Sequence, residues 1–267
     1  YWRSENKVAK KDLLLGRSWS GISSNDKMLL VWGHSHLLGR GIRKLINASV
    51  RSIKDFFLGY KRISAYDLSD QNLDKIIAEL KTGNFKTVIG YFSALDAVAR
   101  RVNRQGANIS VKNVIGTAES PPFDDSLDVI KMAFNSCVIK EYGTVETGPI
   151  AYTSAENDYY QAFWWNNYLE VDASGCLLVT CLYPRATPLF RYKVGDIVEG
   201  VIFDSSRITG FKNIIGRSNL SILLPSGRRL HSESISHVFK SSVNVDRFQL
   251  WIFSDRIEVK YVAQIDL

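Results

Sequence analysis

The sequence predicts an α/β protein: parallel sheet layers with helices, an antiparallel β subdomain, and the start of a small α+β C-terminal domain. Three observations carry this. Up to about residue 150, apolar strand-like runs alternate with segments of helical periodicity, the pattern of a parallel sheet covered on both faces. From about 160 to 212, strands follow one another across short turns with no helix between them. Near Arg217 the pattern breaks again, which divides the chain into a domain over 1–216 and a partial one over 217–267.

Taken in order, KMLLVWG (27–33) is a buried-strand run followed by the helical spacing of LLGRGIRKLINASVRSIKDFF. The polar turn LSDQ then places Ser69 to cap the helix NLDKIIAELKTG, which Gly83 closes. The strand TVIGYF precedes a helix beginning near Ser93. VKNVIGTAES supplies another strand and loop, LDVIKMAF a helix, and SCVIKEYG a further strand. Beyond residue 150, YLEVDASGCLLVTCLY and PLFRYKVGDIVEGVIF read as antiparallel strands. GRSNLSILLPSGRRLHSESISHVF reads as a strand pair and a short helix, and FQLWIFSDRIEVKYVAQ as a hairpin.

With 267 residues and 45% hydrophobic composition the chain can bury a substantial core, and its ordinary charged fraction excludes a disordered protein. No apolar run approaches the roughly 20 residues of a membrane-spanning helix. Three cysteines (Cys137, Cys176, Cys181) without C-x-x-C spacing argue against a disulfide framework or zinc site, so a reducing cytoplasm is expected. The opening YWRSENKVAKKDLLLG has neither Met nor a signal core and reads as the interior of a longer chain. The net charge is +7, with the basic excess greatest between Arg3 and Arg62. That raises a polyanion-binding module as an alternative, although the charges interleave with apolar residues as on a solvated helix face and no nucleic-acid motif accompanies them.

A strand running into G-H-S at 33–35 suggests a serine hydrolase. The nucleophile elbow, however, needs glycine two residues after the serine, and Leu37 stands there; neither His231 nor His237 falls in the expected loop. The four histidines lack metal-ligand spacing, and GRSWSG (16–21) does not fit a phosphate-binding P-loop.

Four separated segments remain. IGTAESPP (115–122) puts small residues where a strand ends, so that backbone can approach a flat ligand. EYGTVETG (141–148) offers a ring, a tight turn and a carboxylate. PLFRYKVGD (188–196) ends on Asp196, an acid suited to accept bonds from two neighbouring hydroxyls. IIGRSNLSILLPSGRRLHSESI (214–235) adds an arginine at the domain junction. Together these make a nucleotide site, with a ring for the base, an acid for ribose, and an arginine and a metal-binding acid for phosphate.

With GYFSALDAVAR and SGCLLVTCLYPRATPLFRYKVGD added in the same order, the chain resembles the adenylate-forming acyl ligases. Within them it resembles the phenylacetate-CoA ligase-like branch, which includes capsular polysaccharide biosynthesis proteins. The resemblance implies an ATP-dependent, AMP-forming carboxylate ligase that uses Mg²⁺ and passes its acyl group to CoA or another acceptor. It implies that Tyr142 stacks on adenine, with Gly116 and Ala118 across the base and Glu119 and Gly143 in the same nucleotide-binding set. Glu146 would hold Mg²⁺, Asp196 would accept the ribose hydroxyls, and Arg217 would reach ribose or phosphate, making Glu146 and Arg217 the catalytic positions. Asn219 would be the hinge of the C-terminal domain, and Phe92, Phe123 and Trp32 candidates for the acyl pocket.

The sequence also departs from that family. Its phosphate loop is expected upstream of Tyr1 and its catalytic lysine beyond Leu267, so a fragment needing its flanking segments or oligomer contacts is expected. Val145 replaces the Ser or Thr before the motif glutamate, and Asn219 and Leu220 stand where acids are usual. Lys260 lies in a strand-like segment and is not taken for the lysine.

Overall fold

The structure, a computed structural model, describes residues 3–33, 41–217, 221–223, 229–231, 245–253 and 255–263. Its centre is a parallel sheet whose strands are continuous apolar runs: β1 (Met28–Val31), β3 (Thr87–Tyr91) and β4 (Asn113–Thr117), each buried along its whole length. Burial on both faces explains why these strands carry no polar alternation. Together with β2 (Tyr60–Ile63) and β5 (Cys137–Thr144) they pair in parallel in the order β2-β1-β3-β4-β5.

Helices α3 (Asp70–Thr82), α4 (Phe92–Gln105) and α5 (Ser126–Phe134) cover one face. There Leu29, Val31, Val88 and Val114 meet Leu73, Ile76, Leu95, Val98 and Ile130 in one apolar core. The alternate strand residues Met28, Leu30, Ile89, Ile115 and Ile139 point the other way, against Tyr152, Phe163, Ile22 and Trp19. Helix α2 (Gly41–Phe57) connects β1 to β2, in the direction opposite to the later crossovers, so right-handed connection sends it to the other face from α3. Ser69 caps α3, its hydroxyl accepting from the Asn72 amide at 3.4 Å, and Gly83 follows the helix's last residue.

The antiparallel region is not a separate sheet. Pairing changes direction at β5 itself, where Glu141 opposes Tyr152 of β6 (Gly148–Tyr152). The same eleven-stranded sheet then runs on through β7 (Tyr160–Ala162), β11 (Arg207–Arg217), β10 (Tyr192–Asp204), β9 (Cys176–Cys181) and β8 (Asn167–Val171). The expected subdomain of about 160–212 therefore shares its first hairpin with the parallel layer. A reversal at β5 places the end of that strand, and the turn after it, at the seam between the two halves.

The first segment, left without an element by the sequence, is helix α1 (Arg3–Ser18). It buries two acids that distant groups satisfy: Glu5 accepts from the Ala186 amide at 2.7 Å, and Asp12 accepts from the Asn166 side chain at 2.8 Å. Beyond β11, the described residues form two small pairs, β12 (Ser221–Leu223) with β13 (Arg229–His231), and β14 (Val245–Ile252) with β15 (Ile257–Ala263). The second pair is the expected hairpin. Lys260 lies on β15 with its ammonium 5.1 Å from the centre of the Trp251 ring, as a strand residue. The short helix expected after β13, together with Ser35, Leu37, His237, Asn219 and Leu220, lies outside the described residues.

Candidate functional site

Open α/β sheets bind ligands beyond the carboxyl ends of their parallel strands, where the loops diverge. Here the ends of β4 and β5, the start of β10 and the end of β11 surround a cleft of about 520 Å³. Its wall takes in Ala118, Glu119, Tyr142, Gly143, Glu146, Asp196 and Gly216, so residues drawn from four separated sequence segments meet in one space.

Each is positioned by local chemistry. Tyr142 lies on β5 with its ring edge-on to Tyr160 and Phe211, at centroid distances of 6.1 and 5.8 Å. Its hydroxyl donates to Asp196 Oδ2 at 2.7 Å. Both residues are under 10% exposed, Tyr142 at 8% and Asp196 at 7%. The ring that the resemblance assigns to the base is thus also a core ring, and the acid assigned to ribose is its hydrogen-bond acceptor. Asp196 follows Gly195, whose φ of +87° lies in the left-handed region, and the register against β9 shifts between Lys193 and Ile197. Such a bulge re-aims a strand's side chains. Across the other edge of β10, Asp196 opposes Arg217, the last residue of β11.

Glu146 sits at the tip of the β5–β6 turn and is exposed. Thr144 and Thr147 fasten the turn beneath it: Thr147 donates its amide to Thr144 Oγ1 at 3.1 Å and its hydroxyl to the Gly148 carbonyl at 3.0 Å. Gly143 is required here, because a Cβ would lie 2.4 Å from the Gly148 carbonyl oxygen. That close approach accounts for the glycine in the motif and leaves Glu146 projecting into the cleft mouth. The exposed Val145 beside it supplies no hydroxyl.

The β4 side holds two departures from expectation. Gly116 is not on the cleft wall; a Cβ there would lie 2.2 Å from the Phe92 ring, so its smallness serves the packing of α4 against β4. The wall itself begins at Ala118, whose φ of +69° is uncommon for a residue with a Cβ and marks local strain of the kind found at ligand sites. Glu119 receives the Ser93 amide at 2.7 Å and so caps the start of α4, where an anion is favoured. Phe92 also lines the cleft. Phe123 is exposed elsewhere, stacked with the Arg100 guanidinium at 4.8 Å, and Trp32 packs with Tyr91 at 4.9 Å; neither reaches the wall.

Among the described residues the wall bears four carboxylates (Glu119, Glu141, Glu146, Asp196) and one ammonium, that of Lys140. Glu141 is occupied with structure: it accepts from Thr117 at 3.1 Å and from the Tyr152 hydroxyl, and lies 3.8 Å from Arg17. Lys140 was not among the sequence candidates. Its ammonium stands 4.9 Å from the Tyr160 ring centre, and burial lowers its pKa below the usual lysine value. Its place two residues before Tyr142 on the same strand, hence on the same face, is the signal that could have found it. No group of three or more His, Cys, Asp or Glu capable of enclosing a metal occurs among the described residues.

No family model matches the chain. It is 28% identical over 204 residues to Protein CapK of Staphylococcus aureus, a match covering 67% of this chain and 42% of that protein. Its fold is that of solved adenylate-forming ligases. The structure of 2-hydroxyisobutyryl-CoA ligase in the postadenylation state, in complex with R3-HIB-AMP, superposes with a TM-score of 0.58 at 15% identity, over 96% of this chain and 57% of that one. Amide bond synthetase McbA from Marinactinospora thermotolerans gives 0.51 at 11% identity, over 97% and 55%. The chain therefore spans between two fifths and three fifths of the length of these relatives.

Proposed function

We propose that this chain is the nucleotide-binding portion of an ATP-dependent, AMP-forming carboxylate ligase. The observation that carries this is the convergence of Tyr142, Glu146 and Asp196 on one cleft at the carboxyl edge of the parallel sheet. The fold shared with a ligase whose structure holds an AMP-linked ligand supports it.

In this reaction a carboxylate oxygen attacks the α-phosphorus of ATP, the bond to the β,γ-diphosphate breaks, and pyrophosphate leaves with the electron pair. An acyl-adenylate remains, a mixed anhydride open to a thiol such as that of CoA or to another acceptor. Phosphoryl chemistry of this kind needs placement and charge neutralisation more than covalent help. Tyr142 and Ala118 bound the base, Asp196 accepts from the ribose hydroxyls, and Arg217 is the phosphate-side cation. Lys140 adds the cation of the cleft wall itself.

One exposed acid at a turn tip, without a cage of further acids, fits Mg²⁺, which binds through one or two carboxylates while phosphates and water complete its shell. Glu146 would hold it. When bound it supplies charge neutralisation on the phosphates. The acid substrate is read as a small-molecule carboxylate, and the protein as cytoplasmic. No described helix is long and apolar enough to cross a membrane.

The test is ATP–pyrophosphate exchange in the full-length protein with its carboxylate. Glu146→Ala is expected to lower exchange about 10²-fold, the scale of one preorganised electrostatic contact. Asp196→Ala should weaken ATP binding about 10- to 100-fold, as for hydrogen bonds to a charged group. Exchange unchanged in both variants overturns the assignment.

A further inference from the structure

The turn bearing Glu146 is held from outside the β5–β6 hairpin by residues that no part of the site description uses. We propose that Arg185 is a positioning residue, fixing the height and direction of Glu146 through the main chain of the turn. This rests on the ligase reading above for its chemical consequence, though not for its geometry.

Arg185 lies in the segment between β9 and β10. One guanidinium nitrogen, Nη2, donates to the carbonyl of Glu146 itself, and Nη1 donates to the Tyr183 hydroxyl at 2.5 Å. That hydroxyl passes its own proton on, donating to the Thr147 carbonyl at 3.1 Å. Two successive carbonyls of the turn are thus held by one arginine and one tyrosine, and the planar fork of the guanidinium sets the spacing between them. Burial raises the Tyr183 pKa to about 12, so its hydroxyl remains a donor at every pH the protein meets.

The segment is itself anchored. The Cys181 amide donates to the Leu189 carbonyl at 3.0 Å and the Leu182 amide to the Asn166 carbonyl at 2.8 Å, while the Ala186 amide reaches Glu5 of α1. No carboxylate of the described residues forms an ion pair with Arg185. Its charge is spent on two neutral oxygens at the base of an exposed glutamate. A turn already held at the base of Glu146 needs no ordering when the metal–phosphate group arrives.

The test compares Arg185→Ala, Arg185→Lys and Tyr183→Phe with the wild-type protein in two measurements. In the first, pyrophosphate exchange is followed across a Mg²⁺ titration. Arg185→Ala is expected to raise the half-saturating Mg²⁺ concentration about tenfold, Tyr183→Phe less, and Arg185→Lys is expected to recover only part, because an ammonium cannot span both acceptors. On a Glu146→Ala background Arg185→Ala should add nothing further to the loss. In the second, amide hydrogen exchange of a peptide spanning 144–149 is measured without any ligand, and Arg185→Ala should speed it about tenfold while α3 and α4 exchange as in the wild type.

Losses that add fully to those of Glu146→Ala, or an unchanged Mg²⁺ dependence, overturn the positioning role. Unchanged hydrogen exchange overturns the geometry. Absence of exchange activity in the wild type, with faster hydrogen exchange in Arg185→Ala, would remove the ligase reading and leave the strut in place.

Discussion

At the scale of single residues, the Tyr142–Asp196 hydrogen bond ties the β5 wall of the cleft to the β10 wall. Removing the hydroxyl leaves a nearly buried carboxylate short of one donor, which costs about 1–3 kcal/mol. Tyr142→Phe should therefore lower stability by that amount in chemical denaturation while keeping most nucleotide affinity, because the ring persists; Tyr142→Ala should lose both. Equal affinity losses in the two variants would show that the hydroxyl, not the ring, is what the ligand uses. Lys140 makes a prediction of opposite sign. Burial depresses its pKa, so between the depressed value and the unfolded value near 10.5 the unfolded chain binds the extra proton, and stability rises with pH across that window. Lys140→Met should raise the melting temperature at pH 7 and flatten the rise toward pH 10, yet weaken binding of an anionic ligand. A variant less stable than wild type at pH 7 would mean that the contact with Tyr160 outweighs the cost of burying the charge.

At the scale of elements, Gly116 separates packing from binding. A Cβ on β4 would press on the Phe92 ring, and overpacking of this kind costs about 1–3 kcal/mol. Gly116→Ala should lose stability of that order, with affinity for ATP unchanged once folded, and Phe92→Leu on the same chain should recover part of it. An affinity loss without a stability loss would return Gly116 to the base pocket. The sequence alone showed the small residues of IGTAESPP but not which of them faces the ligand, since that depends on a ring 24 positions earlier. The strands β1, β3 and β4 were legible because double-sided burial writes itself as unbroken apolar runs, and α3 because Ser69 and Gly83 bracket it. Helix α1 was not. Its buried Glu5 and Asp12 look like surface acids until Ala186 and Asn166 arrive from the far half of the chain. The continuity of the sheet escaped for the same reason: β7 pairs with β11, and no local pattern encodes a partner some fifty residues away. Tyr142, Glu146 and Asp196 were singled out through motifs, whereas Lys140 lies outside them and Arg185 falls within a quoted stretch that gave it no role; both are recognised only from where the fold puts them.

At the scale of the whole molecule, one helix carries more apolar surface than a closed domain leaves in water. Along α2, Val50, Ile53 and Phe57 recur at helical spacing and are 60%, 59% and 81% exposed, with Phe56 at 81% beside them. A stripe of this kind marks a surface that another body covers, or one that drives association. Relatives roughly twice as long supply the material for such a cover. The 267-residue chain expressed by itself is therefore expected to bind an environment-sensitive apolar dye, or to self-associate in a concentration-dependent way. Ile53→Gln with Phe57→Gln should abolish both, while the melting temperature holds or rises, because neither side chain contributes to the core of its own domain. The β14–β15 hairpin, with Trp251 and Tyr261 also exposed, offers the internal control. If the double α2 variant keeps the dye signal and Tyr261→Gln removes it, the association surface belongs to the C-terminal hairpin and α2 stands exposed without consequence.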